Sequence, residues 1–254
     1  MERSKRQLQI LNVAAQIVAQ KGIQALTIKN IAAEMKLTEP ALYRHYNSKL
    51  DILLDMISYF GECSTQIFGK LKSVDGHIKK VEGFLLDRYR LFTYEPDLAK
   101  VLFSEEIFQY EPQLAEKHKQ IMNEHRQKLM RFFLAAQQEG EICADITAGQ
   151  LFHIVIGSMR LLVTRWCRSG QFFDLQAEGA ALWQAILSLI TPSISQPIST
   201  ENVNASSLEE VEWNGQLSKL MKKSATAAAN AFPDVLKEPC KLLTAKRASL
   251  AARS

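Results

Sequence analysis

The sequence predicts an all-α protein, on three observations. Apolar residues recur every three or four positions through most of the chain up to Thr191, no stretch alternates apolar and polar as a half-buried strand would, and the periodic runs are bounded by hydroxyl residues, Gly and Pro. The 254 residues, 47% hydrophobic, are enough for one large domain or two modest ones with a filled core.

Taken in order, the first helix is expected from about Lys5 to Gln20. Leu8, Leu11, Ala15 and Val18 make one stripe, Ile10, Ala14 and Ile17 widen it, and Gly22 stands where a left-handed residue closes a helix. Two short helices follow within Thr27 to Lys49. Ile28, Ile31 and Ala32 form the apolar side of one; Leu37, Leu42 and Tyr46 form that of the other, and Thr27 and Thr38 are placed to cap them. The second helix carries Tyr43, Arg44 and His45 away from Leu42 and Tyr46. One packed face and one donor-bearing face is what a helix needs to enter a DNA major groove.

Ser48, with Asp51 three residues on, opens a helix through Ile52, Leu53, Met56, Ile57 and Phe60 to about Lys70. Gly76 separates it from a helix over His77 to Phe92, and Pro96 breaks the chain before a short helix from Leu98 to Phe108. Pro112 begins a long helix through Ile121, Met122, Leu129, Phe132, Phe133 and Ala136 that stops near Gly140. Thr147 caps a helix to about Arg168, and Phe172 to Ile190 form the last. Leu151 to Trp166 is apolar almost all round, and such a helix must be covered on every side. With the small-residue stripe of Ala180, Ala181 and Ala185 it suits a four-helix dimer interface, two helices from each copy; deep burial within one subunit is the alternative. From Pro192 to Thr200 the composition is that of a linker. A helix over Leu208 to Phe232, ended by Pro233, and a basic close with Lys241, Lys246, Arg247 and Arg253 follow, without an assigned role.

Net charge is only +4, so affinity for nucleic acid must come from local placement of charge; residues 1–60 hold eight basic side chains against five acidic ones. Arg3, Ser4 and Lys5 are either an arm beside the DNA backbone or a solvated basic end. Cys63, Cys143, Cys167 and Cys240 are scattered, with no paired spacing and no accompanying His, which excludes a zinc motif and fits a reducing cytoplasm. Met1 is followed by a charged segment, not a signal peptide. The run Leu151 to Val163 is shorter than the roughly 20 residues a bilayer requires and contains His153 and Arg160. No GxGxxG, P-loop, GxSxG or HExxH occurs, so no enzyme, catalytic residue, cofactor or metal is expected.

The residues Ile31, Ala32, Leu37, Thr38, Leu42, Tyr43, Arg44, His45, Tyr46, Ser48 and Lys49 resemble the DNA-binding domain of the TetR family of bacterial repressors. That family's recognition region runs from an apolar residue and Ala, through a turn with Gly and Val-Ser, to Leu-Tyr-x-His-Phe-x-x-Lys. The resemblance implies a three-helix helix-turn-helix domain at 1–48, a helical effector-binding and dimerisation domain at 49–191, and an extension at 192–254 beyond the family pattern. Two positions depart from it. Lys36 stands where the family has Gly, and a side chain forced to positive φ there costs about 1 kcal/mol or more. Glu39 and Pro40 take early recognition-helix positions: Pro40 suits a first turn, and Glu39 suits the helix dipole but repels phosphate.

The resemblance and side-chain geometry together assign the roles. Arg44 is the candidate for guanine O6 and N7, Tyr43, His45, Thr27, Thr38 and Lys49 for phosphate oxygens, with Lys29 beside them and Glu39, Pro40 and Ala41 at the same face. Phe84, Arg88, Phe92, Phe103, Phe108, Met122, His125, Phe132, Phe133 and Arg160, with His118, lie in helices that surround the family's effector cavity, although aromatics at helical spacing equally make plain core. The segment Phe103 to Ile142 is similar to members that sense fatty acyl-CoA; other members bind drugs or flavonoids. The expected protein is a cytoplasmic, nucleoid-associated homodimeric repressor, released from a palindromic operator by a small apolar or amphipathic effector. The alternative is a DNA-bound regulator of chromosome organisation or division acting through a protein partner.

Overall fold

Ser4 starts the first helix by accepting from the Gln7 amide (3.2 Å) while the Gln7 side chain accepts from the Ser4 amide (3.0 Å), a reciprocal capping box. The helix, α1 (Lys5–Lys21), ends at Gly22 with φ 80°. The computed structural model describes residues 3–192, so the expectations for the linker and the 208–232 helix lie outside the described residues. A 3₁₀ turn (Ile23–Ala25) leads to α2 (Ile28–Glu34), which Thr27 caps by accepting from the Asn30 amide (3.0 Å).

The turn after α2 keeps its left-handed residue although that residue is lysine. Lys36 takes φ 55°, its N–H donates to Ala33 O (3.1 Å), and the Leu37 N–H donates to Ala32 O (2.8 Å). These two bonds together close a helix in the Schellman pattern. In α3 (Glu39–Tyr43) Thr38 occupies the capping position but its side chain makes no cap bond, contrary to expectation. Pro40 has no N–H to offer, and the Ala41 N–H is already bonded to Thr38 O (3.0 Å).

The long α4 (Lys49–Lys70), about 33 Å at 1.5 Å per residue, runs from the helix-turn-helix into the body. Ser48 caps it through the Asp51 amide (3.1 Å), and the Asp51 carboxylate accepts from the Asn47 amide (3.1 Å). Arg3 is neither an arm nor a solvated end. Its guanidinium is paired with Asp55 and Glu62 and lies 5.5 Å from the Tyr59 ring centre, while Tyr46 donates its hydroxyl to Asp55 (2.6 Å). One carboxylate of α4 thus ties down both the chain start and the end of the recognition segment.

After a 3₁₀ turn (Leu71–Ser73), α5 (His77–Tyr94) begins at Gly76, which has no side chain to cap it. Glu141, 64 residues away from His77, supplies the cap, accepting from the His77 and Ile78 amides (2.8 Å each). Burial works to raise that carboxyl, but the two backbone bonds outweigh it and hold it below the usual carboxylate range. The short helix expected over Leu98 to Phe108 is two helices, α6 (Pro96–Leu102) and α7 (Glu105–Tyr110), because Ser104 turns extended between them (φ −82°, ψ 112°). Pro112 starts α8 (Pro112–Gln138), closed at Gly140 by the same two-bond pattern as α2.

Thr147 and Gln150 form a second capping box at the start of α9 (Ala148–Arg168), and Asp174 caps α10 (Leu175–Ile190) through the Gln176 and Ala177 amides. That cap places the last helix three residues later than Phe172. Gly179 of α10 lies on the buried Tyr89 ring, where an added Cβ would meet Cε2 at 2.3 Å. α10 packs on α5, α8 lies between α4, α5 and α9, and α6 bridges from α9 and α5 to α1. The chain is all-α, with no strand among the described residues.

Within the chain α9 is covered on one side only. Leu151, Val155, Met159, Val163 and Trp166 are buried, whereas Ile154 is 44% and Leu161 71% exposed, and Leu189 of α10 is 79% exposed. Among the described residues no helix is long and apolar enough to cross a membrane, and no cluster of His, Cys, Asp or Glu could hold a metal ion.

Candidate DNA interface and ligand cavity

The amino-terminal helices build a surface from a packed core. Ile31, Leu42 and Tyr46 are buried against Ile10, Ala14 and Ile52, which fixes the roll of α3 so that its other side faces solvent. Thr27 and Lys29 at the start of α2, Thr38, Glu39, Pro40 and Tyr43 of α3 with its cap, and Lys49 at the start of α4 are exposed, Tyr43 to 49%, and Ala41 is half-buried; exposed Arg44 and half-buried His45 follow the end of α3, not within the helix as the spacing predicts. None of Lys29, Arg44 and Lys49 is in an ion pair among the described residues, so their donors remain directed at solvent. The Thr38 hydroxyl, spared from capping, is available on the same side. Glu39 is a fixed negative charge at the start of α3, favourable to the helix dipole and adverse to a phosphate.

A second feature lies in the body: a cavity of about 630 Å³ enclosed by α4, α5, α6, α8 and α9, with the segment Phe103 to Gln109 along one edge. That volume is ordinary for a site holding one small organic molecule. Its deep wall is aromatic, with Phe60, Phe84 and Phe92 buried, and its outer rim is more polar, with Gln109 and Arg160 exposed and His118 half-buried.

Arg88 is the unusual member of the deep wall. It is 2% exposed, and its guanidinium lies 4.5, 5.0 and 5.8 Å from the ring centres of Phe60, Phe84 and Phe92. Nη2 donates to Ser64 Oγ (2.9 Å), and Nη1 has no hydrogen-bond partner. Burial lowers this guanidinium to about 10, which leaves it a cation at neutral pH. His125 packs its ring against Phe60 and Phe84; burial first, then the charges of Arg88 and Lys128, push it down to about 2, so it is neutral. Burial and Arg160 likewise lower His118.

Nine residues singled out from the sequence, Phe84, Arg88, Phe92, Phe103, Phe108, His118, Met122, His125 and Arg160, meet around this cavity. Phe132 and Phe133 do not reach it. They continue the α8 stripe of His118, Met122, His125 and Leu129 but lie past its end: Phe133 is fully buried in the core, and Phe132 packs near Phe68 and under Lys80. Helical spacing names a face, not how far along the axis a void extends. Phe60, Leu102, Phe152, Ile156 and Met159 line the cavity without having been singled out. Phe152 and Ile156 belong to the apolar α9 run that suggested an outer interface, so periodicity alone could not divide that run between cavity and surface.

Comparison with known proteins matches both halves. The profile of bacterial regulatory proteins of the tetR family matches residues 10–56, and that of the YsiA-like protein C-terminal region matches residues 58–189. The chain is 21% identical over 194 residues to the fatty acid metabolism regulator protein of Bacillus subtilis (strain 168), spanning 76% of this chain and 97% of that one. Among solved structures it is similar to the ketosteroid transcriptional regulator KstR2 of Mycobacterium tuberculosis, with TM-score 0.66, 18% identity and coverage of 76% of this chain and 97% of that one. It is also similar to FadR of Bacillus subtilis, solved in complex with stearoyl-CoA, with TM-score 0.62, 21% identity and coverage of 71% and 97%.

Proposed function

Because the chain belongs to the TetR family of bacterial regulatory proteins, we propose that it is a homodimeric repressor that leaves a palindromic operator when an amphipathic effector fills the cavity. It is a DNA-binding regulator of transcription and not an enzyme. The proposed division is a reading head at 1–48 and an effector and dimerisation body at 49–191.

The observation that carries this reading is that two helices belong to both sites. α4 holds the head through Tyr46, Asp55 and Arg3 and lines the cavity through Phe60; α6 packs on α1 and lines the cavity through Leu102. A ligand that pushes on Phe60 or Leu102 therefore works directly on the supports of the head. It shifts the population only by its differential affinity for the two head spacings. In the DNA-bound dimer the two recognition helices stand one turn apart, about 34 to 36 Å.

Dimerisation is supported by the uncovered side of α9 and α10, where Ile154, Leu161 and Leu189 present apolar surface a monomer has no use for. The proposed DNA contacts are Arg44 with a guanine edge and Thr27, Lys29, Thr38, Tyr43, His45 and Lys49 with phosphates, Glu39, Pro40 and Ala41 shaping the approach. The apolar lining supports an effector with a long hydrocarbon portion, and the stearoyl-CoA complex of the similar FadR makes fatty acyl-CoA a class to test first.

The experiment is to select bound sequences from random DNA, then compare Arg44→Ala and Lys49→Ala on the selected operator and on unrelated duplex. Arg44→Ala should weaken the operator by about 5-fold to 150-fold, the 1 to 3 kcal/mol of a bidentate guanine contact, and change unrelated duplex far less. Lys49→Ala should weaken both alike. Equal losses for Arg44→Ala on every duplex would remove its base-reading role, and absence of any selected sequence would remove the repressor reading.

A further inference from the structure

We propose that the effector carries an ionised carboxylate and enters the cavity acid end first, with Arg88 receiving that carboxylate at the aromatic deep wall. The proposal rests on the cavity being the effector site and narrows the effector to a free acid, with the simple acyl thioester, which has no ionised carboxylate, as the competing ligand.

A guanidinium has five N–H donors in a planar fork, matched to a carboxylate by two parallel bonds. At Arg88 the Ser64 hydroxyl, whose own hydrogen is directed to Phe60 O (2.8 Å), accepts from Nη2, and Nη1 has no hydrogen-bond partner among the described residues. The three phenyl rings attract the positive charge through their faces but accept no directed bond. Asp87, next in sequence, bonds Arg90 instead. A buried charged donor without an acceptor is costly, and proteins keep one where something else completes it.

The buried lining around Arg88 is Phe60, Phe84, Phe92, Leu102, Leu129 and Met159 with the neutral His125, and the other cation of the lining, Arg160, is exposed. A single buried cation in an apolar deep wall matches a monoanionic head on a hydrocarbon body. A doubly charged phosphate would leave one charge uncompensated there, and a chain inserted methyl end first would leave Nη1 as it is. Gln109 and Arg160, the exposed polar members of the lining, are where the remainder of the ligand meets solvent.

The test uses the full chain and isothermal titration with saturated fatty acids of eight to eighteen carbons, their methyl esters and their CoA thioesters. Each ligand is also assayed for release of the selected operator. For at least one chain length the acid should bind roughly tenfold to hundredfold more tightly than its ester, the range of a hydrogen bond to a charged group. Arg88→Met should abolish that preference by weakening the acid more than the ester, so that the acid-to-ester ratio falls to about one, and Arg88→Lys should retain part of it. Melting temperatures check folding; should Arg88→Met not fold, the wild-type comparison and Arg88→Lys decide.

If no acid is held more tightly than its ester, or if Arg88→Met keeps the preference, the carboxylate assignment is overturned. In that event, esters or thioesters that bind and release operator leave the effector-site reading standing. If no ligand of the three sets binds or releases DNA, both fall together.

Discussion

Replacing Lys36 by Gly should make the protein more stable. Lys36 is exposed and sits at φ 55°, held by its own bond to Ala33 O and by the Leu37 bond to Ala32 O. A Cβ in the left-handed region costs about 1 to 2 kcal/mol, which Gly removes. Gly returns about 0.4 to 1 kcal/mol through the larger freedom of the unfolded chain. The net gain falls between about 0 and 1.6 kcal/mol, centred on about 0.8, or about 2 to 3 °C in melting temperature for a chain of this size.

Lys36→Ala is the control, since it drops the same charge but keeps the Cβ. Urea midpoints of the two variants, measured side by side, isolate the backbone effect from the loss of charge. Operator affinity should be equal in the two, because both lack the same ammonium group. If Lys36→Gly is no more stable than Lys36→Ala, the strain argument is wrong.

Two further outcomes are expected. Below about pH 6.5 an unfolded His125 takes up a proton that the buried ring refuses down to about 2, so stability falls with pH at about 1.4 kcal/mol per unit across that window. His125→Phe should therefore flatten the loss between pH 6.5 and pH 5 by about 2 kcal/mol, read from urea midpoints; parallel pH profiles for the two proteins would contradict it. Leu161→Glu places two charges on the proposed dimer face at once and should move the mass in sedimentation from twice 28.7 kDa toward one copy. A variant that stays dimeric at micromolar concentration would put the interface elsewhere.

What the sequence determined alone is what a few neighbouring residues settle among themselves. The caps at Thr27, Ser48 and Thr147, the stops at Gly22 and Gly140 and the outward turn of Tyr43 and Arg44 against Leu42 and Tyr46 are all consequences of spacing within one or two helical turns. The all-α class follows from the same local periods, whereas half of the cavity lining was named through the family resemblance, since periodicity alone does not separate a cavity wall from plain core.

The tertiary structure decided what depends on partners distant in the chain. Glu141 caps α5 in place of the side chain Gly76 lacks, and Arg3 is drawn from the DNA side onto Asp55 and Glu62. The α9 run is divided into an inner cavity wall and an exposed outer face, and Phe132 and Phe133 lie beyond the void. Periodicity records which side of a helix is apolar. Only the packing of whole helices fixes what covers that side, where the covering stops, and which charge is left inside without a partner, as Arg88 is.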